Sequence, residues 1–371
     1  MDHHPRVLLL IPHLGGGGAE RVFELLARHL SKDKYELHLG LLTQTPEAVR
    51  DFPPSVRVHG LDARRVRGGA VELLLLVRRL RPGVILSTMA HLNFLVLLLR
   101  PLFPRGTRVL IRQNGTVSAM LADLRSPALT RLLYRALYRR ADRVLCQSRA
   151  MAEDLRLHTG TPLPRVAVLP NPIERAGSAA DFGWAWSGPG PHLLAVGRLV
   201  PQKGMDLLLE AFAGVRRMFP TAELAIAGTG AGESALKARC PALSLNGAVR
   251  FAGHVSAPAA CFAGATLFVL ASRQEGMPNA LLEAAAAGLP LVATPASGGL
   301  VELLRGQPGV WLADAVSAAA LGRALAAALA SLCPGERFSH PWIEPFGLER
   351  AIPAYEAVID EALATGSGAR P

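Results

Sequence analysis

The feature that most limits how this chain can fold is a rhythm that runs, stops and starts again. Short apolar or β-branched runs at residues 6–11, 35–42, 84–87, 107–112 and 143–146 alternate with longer segments of helical period. Among these are residues 19–30 and 70–80, the second stopped by Pro82 and Gly83. Such alternation belongs to a parallel sheet covered by helices on both faces. Residues 171–191, NPIERAGSAADFGWAWSGPGP, are rich in Gly, Pro and Ala and carry no clean period, which marks a linker. The rhythm then resumes with strand-like runs at 192–196, 222–227, 249–252, 266–270, 289–293 and 310–312. A length of 371 residues suffices for two cores. The expected plan is α/β, with two Rossmann-like, doubly wound parallel-sheet domains at residues 1–172 and 192–350. A linker at 173–191 joins them, and a C-terminal helix with a frayed tail occupies 351–371. Ligands of open α/β sheets lie beyond the carboxyl ends of the strands, so two such edges are expected to face one another across a cleft.

Composition removes several classes. Cys146, Cys240, Cys261 and Cys333 lie far apart, with no C-x-x-C pair, which excludes a disulfide scaffold or zinc knuckle and fits a reducing compartment. The apolar stretches 71–77 and 92–99 fall far short of the roughly 18 residues a membrane span needs. Residues 1–5 are polar and lead straight into a strand, so no signal peptide is expected and the protein reads as cytoplasmic. The net charge of +11 is unevenly placed: residues 1–175 hold 27 Lys and Arg against 14 Asp and Glu, and the remainder 13 against 15. Aromatics are only 5% and do not interleave with the basic residues, which argues against nucleic acid. An anionic membrane face or a phosphate-bearing partner needs only the charge.

Four segments carry the chemistry. Gly15-Gly16-Gly17-Gly18-Ala19-Glu20 joins the first strand to a helix, where glycine permits close backbone approach and helix amides attract anions. It is not a dinucleotide fingerprint, because Glu20 stands where a small residue is required and no acid follows the second strand. Gly197-Arg198-Leu199-Val200-Pro201-Gln202-Lys203-Gly204 sets two cations five residues apart on a loop ending at a helix, a spacing that can grip a diphosphate. Charge-assisted bonds of that kind contribute about 1.5–3 kcal/mol each. Gly228-Thr229-Gly230-Ala231-Gly232 is a third strand-to-helix glycine loop. Finally, Ser272-Arg273-Gln274-Glu275-Gly276-Met277-Pro278-Asn279-Ala280-Leu281-Leu282-Glu283 places Pro278 in the first turn of a helix and two carboxylates eight residues apart. Carboxylates accept from sugar hydroxyls while a helix N-terminus faces phosphate, so this segment suits a polyhydroxyl anion.

With these motifs in view, the chain resembles the retaining glycosyltransferases of family 4, which have a GT-B fold. GRLVPQKG, IAGTG and EGMPNALLEA followed by AAAGLPLVATPASGG carry the likeness, which is strongest over residues 192–304 and covers nearly the whole chain. Glu275 and Glu283 meet the family's E-x7-E element. The resemblance implies that Arg198 and Lys203 neutralise the donor diphosphate as it leaves and that Glu283 holds the ribose hydroxyls. It implies that Glu275, with the amides of Gly276, Met277 and Pro278, holds the donor sugar and its phosphate, Asn279 and Leu282 lying in the same donor-binding element. The IAGTG loop, with Gly228 and Gly230, belongs to the same donor site, Gly253 and His254 lie near the base, and Gly16 and Gly17 approach the diphosphate from the other domain. In Ser87-Thr88-Met89-Ala90-His91-Leu92-Asn93, His91 matches the histidine that meets the donor sugar; Asn114, Ser148 and Asn171 match acceptor-side or sugar-side positions. The run Ser297-Gly298-Gly299-Leu300-Val301-Glu302 departs from the G-P-x-E-I-L of many relatives.

The expected activity is transfer of a hexose or N-acetylhexosamine from a nucleotide-diphosphate sugar, UDP-linked for preference, to a glycan or lipid-linked acceptor. No D-x-D motif is placed to hold a metal, so no cofactor is expected, and no residue presents itself as a covalent nucleophile. Arginines 64, 65, 67, 78, 79 and 81 flank an apolar helix, which suggests a peripheral enzyme at the inner face of the cell membrane. The alternatives are a GT-B sugar-nucleotide epimerase or hydrolase, and a non-catalytic nucleotide-sugar-binding protein.

Overall fold

A computed structural model describes residues 4–15, 17–43, 52–61, 69–122, 127–174, 186–255 and 259–367. The chain forms two units, one made of residues 1–172 and 345–371 and the other of residues 173–344. In the first, seven parallel strands run in the order β3-β2-β1-β4-β5-β6-β7. They are β1 (Arg6–Ile11), β2 (Glu36–Leu41), β3 (Val56–Gly60), β4 (Val84–Thr88), β5 (Arg108–Arg112), β6 (Arg143–Cys146) and β7 (Val166–Val168). The inner strands are mostly apolar because both their faces are covered, with His38 of β2 and Ser87 and Thr88 of β4 as buried polar exceptions. Leu8, Leu10, Ile85, Val109 and Ile111 point to one face, under helices Gly69–Leu80, Ala90–Leu99, Pro127–Tyr138 and Arg149–Thr159. Val7, Leu9, Ile11, Leu86 and Leu110 point to the other, under helix Gly18–His29.

That second face is completed by the far end of the chain. Ile352, Tyr355, Ile359 and Ala362 of helix Leu348–Ser367 bury themselves beside Val84, Leu86 and Leu110. Glu356 accepts from the Ser31 amide at 2.8 Å and from Lys34 at 3.0 Å. The division between units therefore falls between Glu344 and Pro345, ahead of the expected boundary at residue 350, and the terminal helix is a layer of the first unit.

The second unit has six parallel strands in the order β10-β9-β8-β11-β12-β13. They are β8 (His192–Val196), β9 (Glu223–Ala227), β10 (Val249–Gly253), β11 (Leu267–Leu270), β12 (Leu291–Ala293) and β13 (Val310–Leu312). Leu193, Leu224, Ile226, Val269 and Val292 pack under helices Met205–Met218 and Ala318–Ser331. Leu194, Phe268, Leu270 and Leu291 pack under Asn279–Ala286 and Gly298–Leu304. In each sheet the winding reverses beside the first strand, between β1 and β4 and between β8 and β11. Loops leave such a point in opposite directions and open a crevice at the carboxyl ends. Among the described residues no helix is long and apolar enough to cross a membrane.

Strands β3 and β7 stand at the sheet edges and escaped the sequence reading, β3 because it carries the exposed Arg57 and β7 because it is only 3 residues long. Near that edge His38 Nδ1 lies 2.9 Å from His59 Nε2, with the rings stacked. Burial lowers the His38 pKa, and burial with the charges of His38, Arg79 and Arg57 brings His59 down to about 4. The unfolded chain therefore binds more protons than the folded one between the ordinary histidine value near 6.5 and about 4. Stability conferred by the neutral pair is complete above that window and is lost as pH falls through it. Thermal denaturation is expected to show a melting temperature that drops from pH 7 to 4.5, with a shallower slope in His59→Asn; parallel slopes would exclude the pair as the cause.

Candidate functional site

In the second unit the loops leaving β8, β9 and β11 converge. Gly197 N donates to Ala227 O, Leu199 N to Thr229 O and Gly232 N to Leu199 O, each at 2.9 Å, which staples the 197–204 loop to the 228–232 loop. That approach is possible only without side chains. A Cβ on Gly228 would overlap the Gly197 carbonyl, and one on Gly230 would lie 2.5 Å from Leu199 O. Gly228 N in turn donates to Gly253 O at 2.7 Å, tying in β10. Gly204 adopts the left-handed conformation, φ 62°, against the Ala271 carbonyl, and brings the end of its loop onto the exit of β11.

This packing delivers Lys203 to Glu275. Lys203 Nζ donates to Glu275 Oε1 at 2.6 Å, and Ser272 Oγ donates to the same oxygen at 2.6 Å. The side chains are 19% and 6% exposed. Behind them Thr294 Oγ1 donates to Ser272 O at 2.6 Å and Glu275 N to Ala296 O at 3.2 Å, so β12 braces the loop. Arg273 clamps the other side, with both guanidinium nitrogens 2.7 Å from the Asp206 carboxylate and one also 2.7 Å from Pro201 O. Arg198 points outward and is exposed. Among the described residues it has no ion-pair partner.

Other residues singled out in the sequence fall differently. Pro278 is the N-cap of helix Asn279–Ala286, with φ −78° and ψ 106°, rather than part of its first turn. As a proline it supplies no N–H, so the donors expected there reduce to the amides of Gly276 and Met277. Glu283 is half-buried one turn into that helix, Asn279 and Met277 are nearly buried, and Leu282 is fully buried and presents no side-chain surface to a ligand. Gly253 has φ 70° with open space around it, and His254 beside it is exposed. Ser297, in the run that departs from the relatives, caps helix Gly298–Leu304 by accepting from Leu300 N at 3.2 Å.

In the first unit the reversal point lies between β1 and β4. Gly17 is the N-cap of helix Gly18–His29, and a Cβ on it would collide with the carboxylate of Glu20. That carboxylate lies 3.7 Å from His13 Nδ1 and next to Gly17. Gly16 lies outside the described residues, as do Arg64, Arg65 and Arg67. His91 is exposed in the first turn of helix Ala90–Leu99, and partial desolvation together with His13 holds its pKa below the ordinary imidazole value. Met89 caps this helix at φ 69°, a conformation rare for a residue with a side chain. Ser148 caps helix Arg149–Thr159 through the amide of Met151 at 3.2 Å. Asn114 and Asn171 both turn their Oδ1 atoms toward the buried guanidinium of Arg112.

Residues 16–176 match the family described as Glycosyltransferase Family 4, and residues 190–331 the one described as Glycosyl transferases group 1. The chain belongs to the family 4 glycosyltransferases. Its fold is GT-B. It is 28% identical over 309 residues to a Campylobacter jejuni N-acetylgalactosamine-N,N'-diacetylbacillosaminyl-diphospho-undecaprenol 4-alpha-N-acetylgalactosaminyltransferase, covering 80% of this chain and 82% of that enzyme. It is 25% identical over 305 residues to the amylovoran biosynthesis glycosyltransferase AmsD of Erwinia amylovora, covering 81% and 84%. Anabaena HepE, solved with UDP and glucose, superposes with a TM-score of 0.73 at 16% identity, covering 98% of this chain and 97% of HepE.

For this glycosyltransferase, sequence reasoning named the ends of the polar network but missed its middle. Ser272, Arg273, Asp206 and Thr294 hold Glu275 and Lys203 in place, and Arg112 holds Asn114 and Asn171. Only their place beside named motifs marked them. The pairing of Lys203 with Glu275 separates two variants that sequence alone treats as equivalent. Lys203→Ala leaves a buried carboxylate without its cation and is expected to lower unfolding free energy by about 2–3 kcal/mol. Arg198→Ala is expected to fall within about 0.5 kcal/mol of the parent. Denaturant titration of both proteins checks this, and equal stabilities would mean that the Lys203–Glu275 contact contributes nothing.

Proposed function

We propose that this enzyme transfers a hexose or N-acetylhexosamine from a UDP-sugar to a glycan or lipid-linked acceptor, with retention and without a metal. The observation that carries the reading is the charge on the loops at the β8–β11 reversal: Lys203 paired with Glu275, and Arg198 exposed on the same loop as Lys203 with no ion-pair partner among the described residues. Loss of a diphosphate builds negative charge on the leaving group, and fixed cations there stabilise the transition state. Arg198 and the remaining Nζ–H bonds of Lys203 supply that stabilisation, while Glu275 and Glu283 accept from sugar and ribose hydroxyls. The bond from the anomeric carbon to the diphosphate oxygen breaks as the acceptor oxygen bonds to the same face, and a diphosphate oxygen takes the acceptor's proton. His91 serves the donor sugar, and Asn114 the acceptor or the sugar. The UDP and glucose held by HepE and the undecaprenol-linked acceptor in the Campylobacter enzyme's name support the choice of substrates, and with AmsD they favour a role in polysaccharide biosynthesis.

A thermal-shift panel of UDP-Glc, UDP-Gal, UDP-GlcNAc, UDP-GalNAc and GDP-Man tests the donor. Ligand at about 100 times its dissociation constant adds about 2.7 kcal/mol. One selective shift is expected, abolished in Glu283→Ala. Turnover with that donor is expected to survive EDTA, and Arg198→Ala to lower kcat/KM by about 2–4 kcal/mol of transition-state stabilisation. Activity lost to EDTA and restored by one divalent ion would overturn the metal-free mechanism. Free or isomerised sugar formed from donor alone would replace transfer with hydrolysis or epimerisation.

The first unit's helix Pro127–Tyr138, PALTRLLYRALY, supports work at a membrane surface. It contains no acidic residue, and Leu129 and Leu132, each 62% exposed, share its outer face with Leu133, Arg131 and Arg135. Exposed leucines between arginines suit the boundary of an anionic leaflet. Sedimentation with phosphatidylglycerol vesicles is expected to exceed that with phosphatidylcholine vesicles and to fall in the Leu129→Ser, Leu132→Ser double variant. Equal binding to both lipids would remove the membrane from the proposal.

A further inference from the structure

Arg112, at the carboxyl end of β5, is 2% exposed, and among the described residues no carboxylate lies within ion-pair distance of its guanidinium. Its partners are neutral. Nη2 donates to Asn171 Oδ1 at 2.5 Å and Nη1 donates to Asn114 Oδ1, while Nε is buried without a partner. Burying a charge in this way is costly unless something compensates it.

The partners' geometry has a chemical consequence. A guanidinium can only donate, so any amide facing it must present oxygen. Thr88 Oγ1 donates to the same Asn114 oxygen at 2.9 Å, which reinforces the choice. The amide plane of Asn114 is thereby set with Nδ2 pointing away from Arg112. That nitrogen is neither buried nor bonded among the described residues. The network is anchored from below, where Asn93 Nδ2 donates to Arg112 O at 3.1 Å and Ser87 Oγ donates to Asn93 Oδ1 at 2.7 Å.

We propose that Arg112 is a positioning residue which turns the amide nitrogen of Asn114 outward over a buried positive charge, making the end of β5 a receptor for a phosphate oxygen. A donor backed by an uncompensated cation prefers an anionic acceptor to a neutral one, because the field of the charge adds to the hydrogen bond. Within the transferase reading, on which this rests, two substrates carry such an oxygen: the donor diphosphate and the phosphate of a lipid-linked acceptor.

Asn114→Asp reverses the outward polarity while keeping an oxygen on Arg112, so it is expected to fold with a melting temperature at or above the parent's. Arg112→Lys keeps the charge and loses the fork. Calorimetry with inorganic pyrophosphate on the full chain, in an Arg198→Ala background that weakens the second unit's phosphate site, is expected to show about tenfold weaker binding for either variant. In steady-state transfer both variants are expected to raise KM for one substrate about tenfold, with kcat within about threefold. A raised donor KM assigns the oxygen to the diphosphate, and a raised acceptor KM assigns it to the acceptor's phosphate. Unchanged pyrophosphate affinity in Asn114→Asp, or a change in kcat alone, would overturn the proposal and leave Arg112 as a prop of the fold. A parent that transfers sugar from no donor would defeat the transferase reading, yet the pyrophosphate comparison would still decide the role of Arg112.

Discussion

A carboxylate with 6% of its surface exposed can be buried only where donors surround it, and much of the second unit's loop architecture follows from holding Glu275. Ser272 is supplied locally, three residues away, but the cation comes from 72 residues earlier in the chain. Bringing it there requires the loop after β8 to end against the exit of β11. Gly204 permits this by taking a left-handed conformation against the Ala271 carbonyl, and the Arg273–Asp206 clamp holds loop and helix together. The same folding of the loop leaves Arg198 outside. Two cations that look alike in the sequence are thus sorted into one paired with Glu275 and one left exposed with no ion-pair partner among the described residues.

The first unit solves the same topology with the opposite chemistry. Where β8 and β11 part, an acid is buried among donors; beyond β4 and β5, a guanidinium is buried among amide oxygens. In both cases the buried charge lies at the carboxyl end of the sheet, where strand backbones run out of neighbours and polar side chains must finish the hydrogen bonding. The tightly packed strands below keep these groups in register. Cys146, at the end of β6, feels both influences: burial pushes its thiol up to about 12 although the Arg112 charge pulls the other way.

The central strands were legible because burial on both faces makes them largely apolar. Edge strands β3 and β7 were not: exposed Arg57 and half-buried His59 break the apolar run of β3, and β7, Val-Ala-Val, is only 3 residues long. The motif glycines were found, but with an incomplete reason. Gly228 and Gly230 are needed first for the approach of one backbone to another, at Gly197 and Leu199, and that neighbour lies about 30 residues away in sequence. Arg112 was invisible for a similar cause. An arginine ending a strand reads as surface, and only Asn171, 59 residues later, reveals that it is enclosed. Local patterns report what a residue's own element requires; they do not report which distant side chain will arrive to satisfy it.

Glu20 shows where this distinction bears on function. A glycine run opening a helix is a sound signal for anion binding, because the first amides of a helix lack partners. Here the helix carries its own anion three residues in, and the Glu20 carboxylate lies over Gly17 within 3.7 Å of His13. A phosphate approaching Gly17 must displace or repel a like charge, so the helix end offers less to a ligand than its glycines suggest. The buried positive charge of the first unit lies elsewhere, one strand beyond the β1–β4 reversal. It comes from Arg112, whose charge no carboxylate among the described residues balances at short range. A donor such as Asn114 Nδ2 gains its preference for an anion from that charge, whereas the glycine loop provides close approach without a net field. In the proposed receptor, selectivity for phosphate depends on a buried side chain more than on the glycine loop.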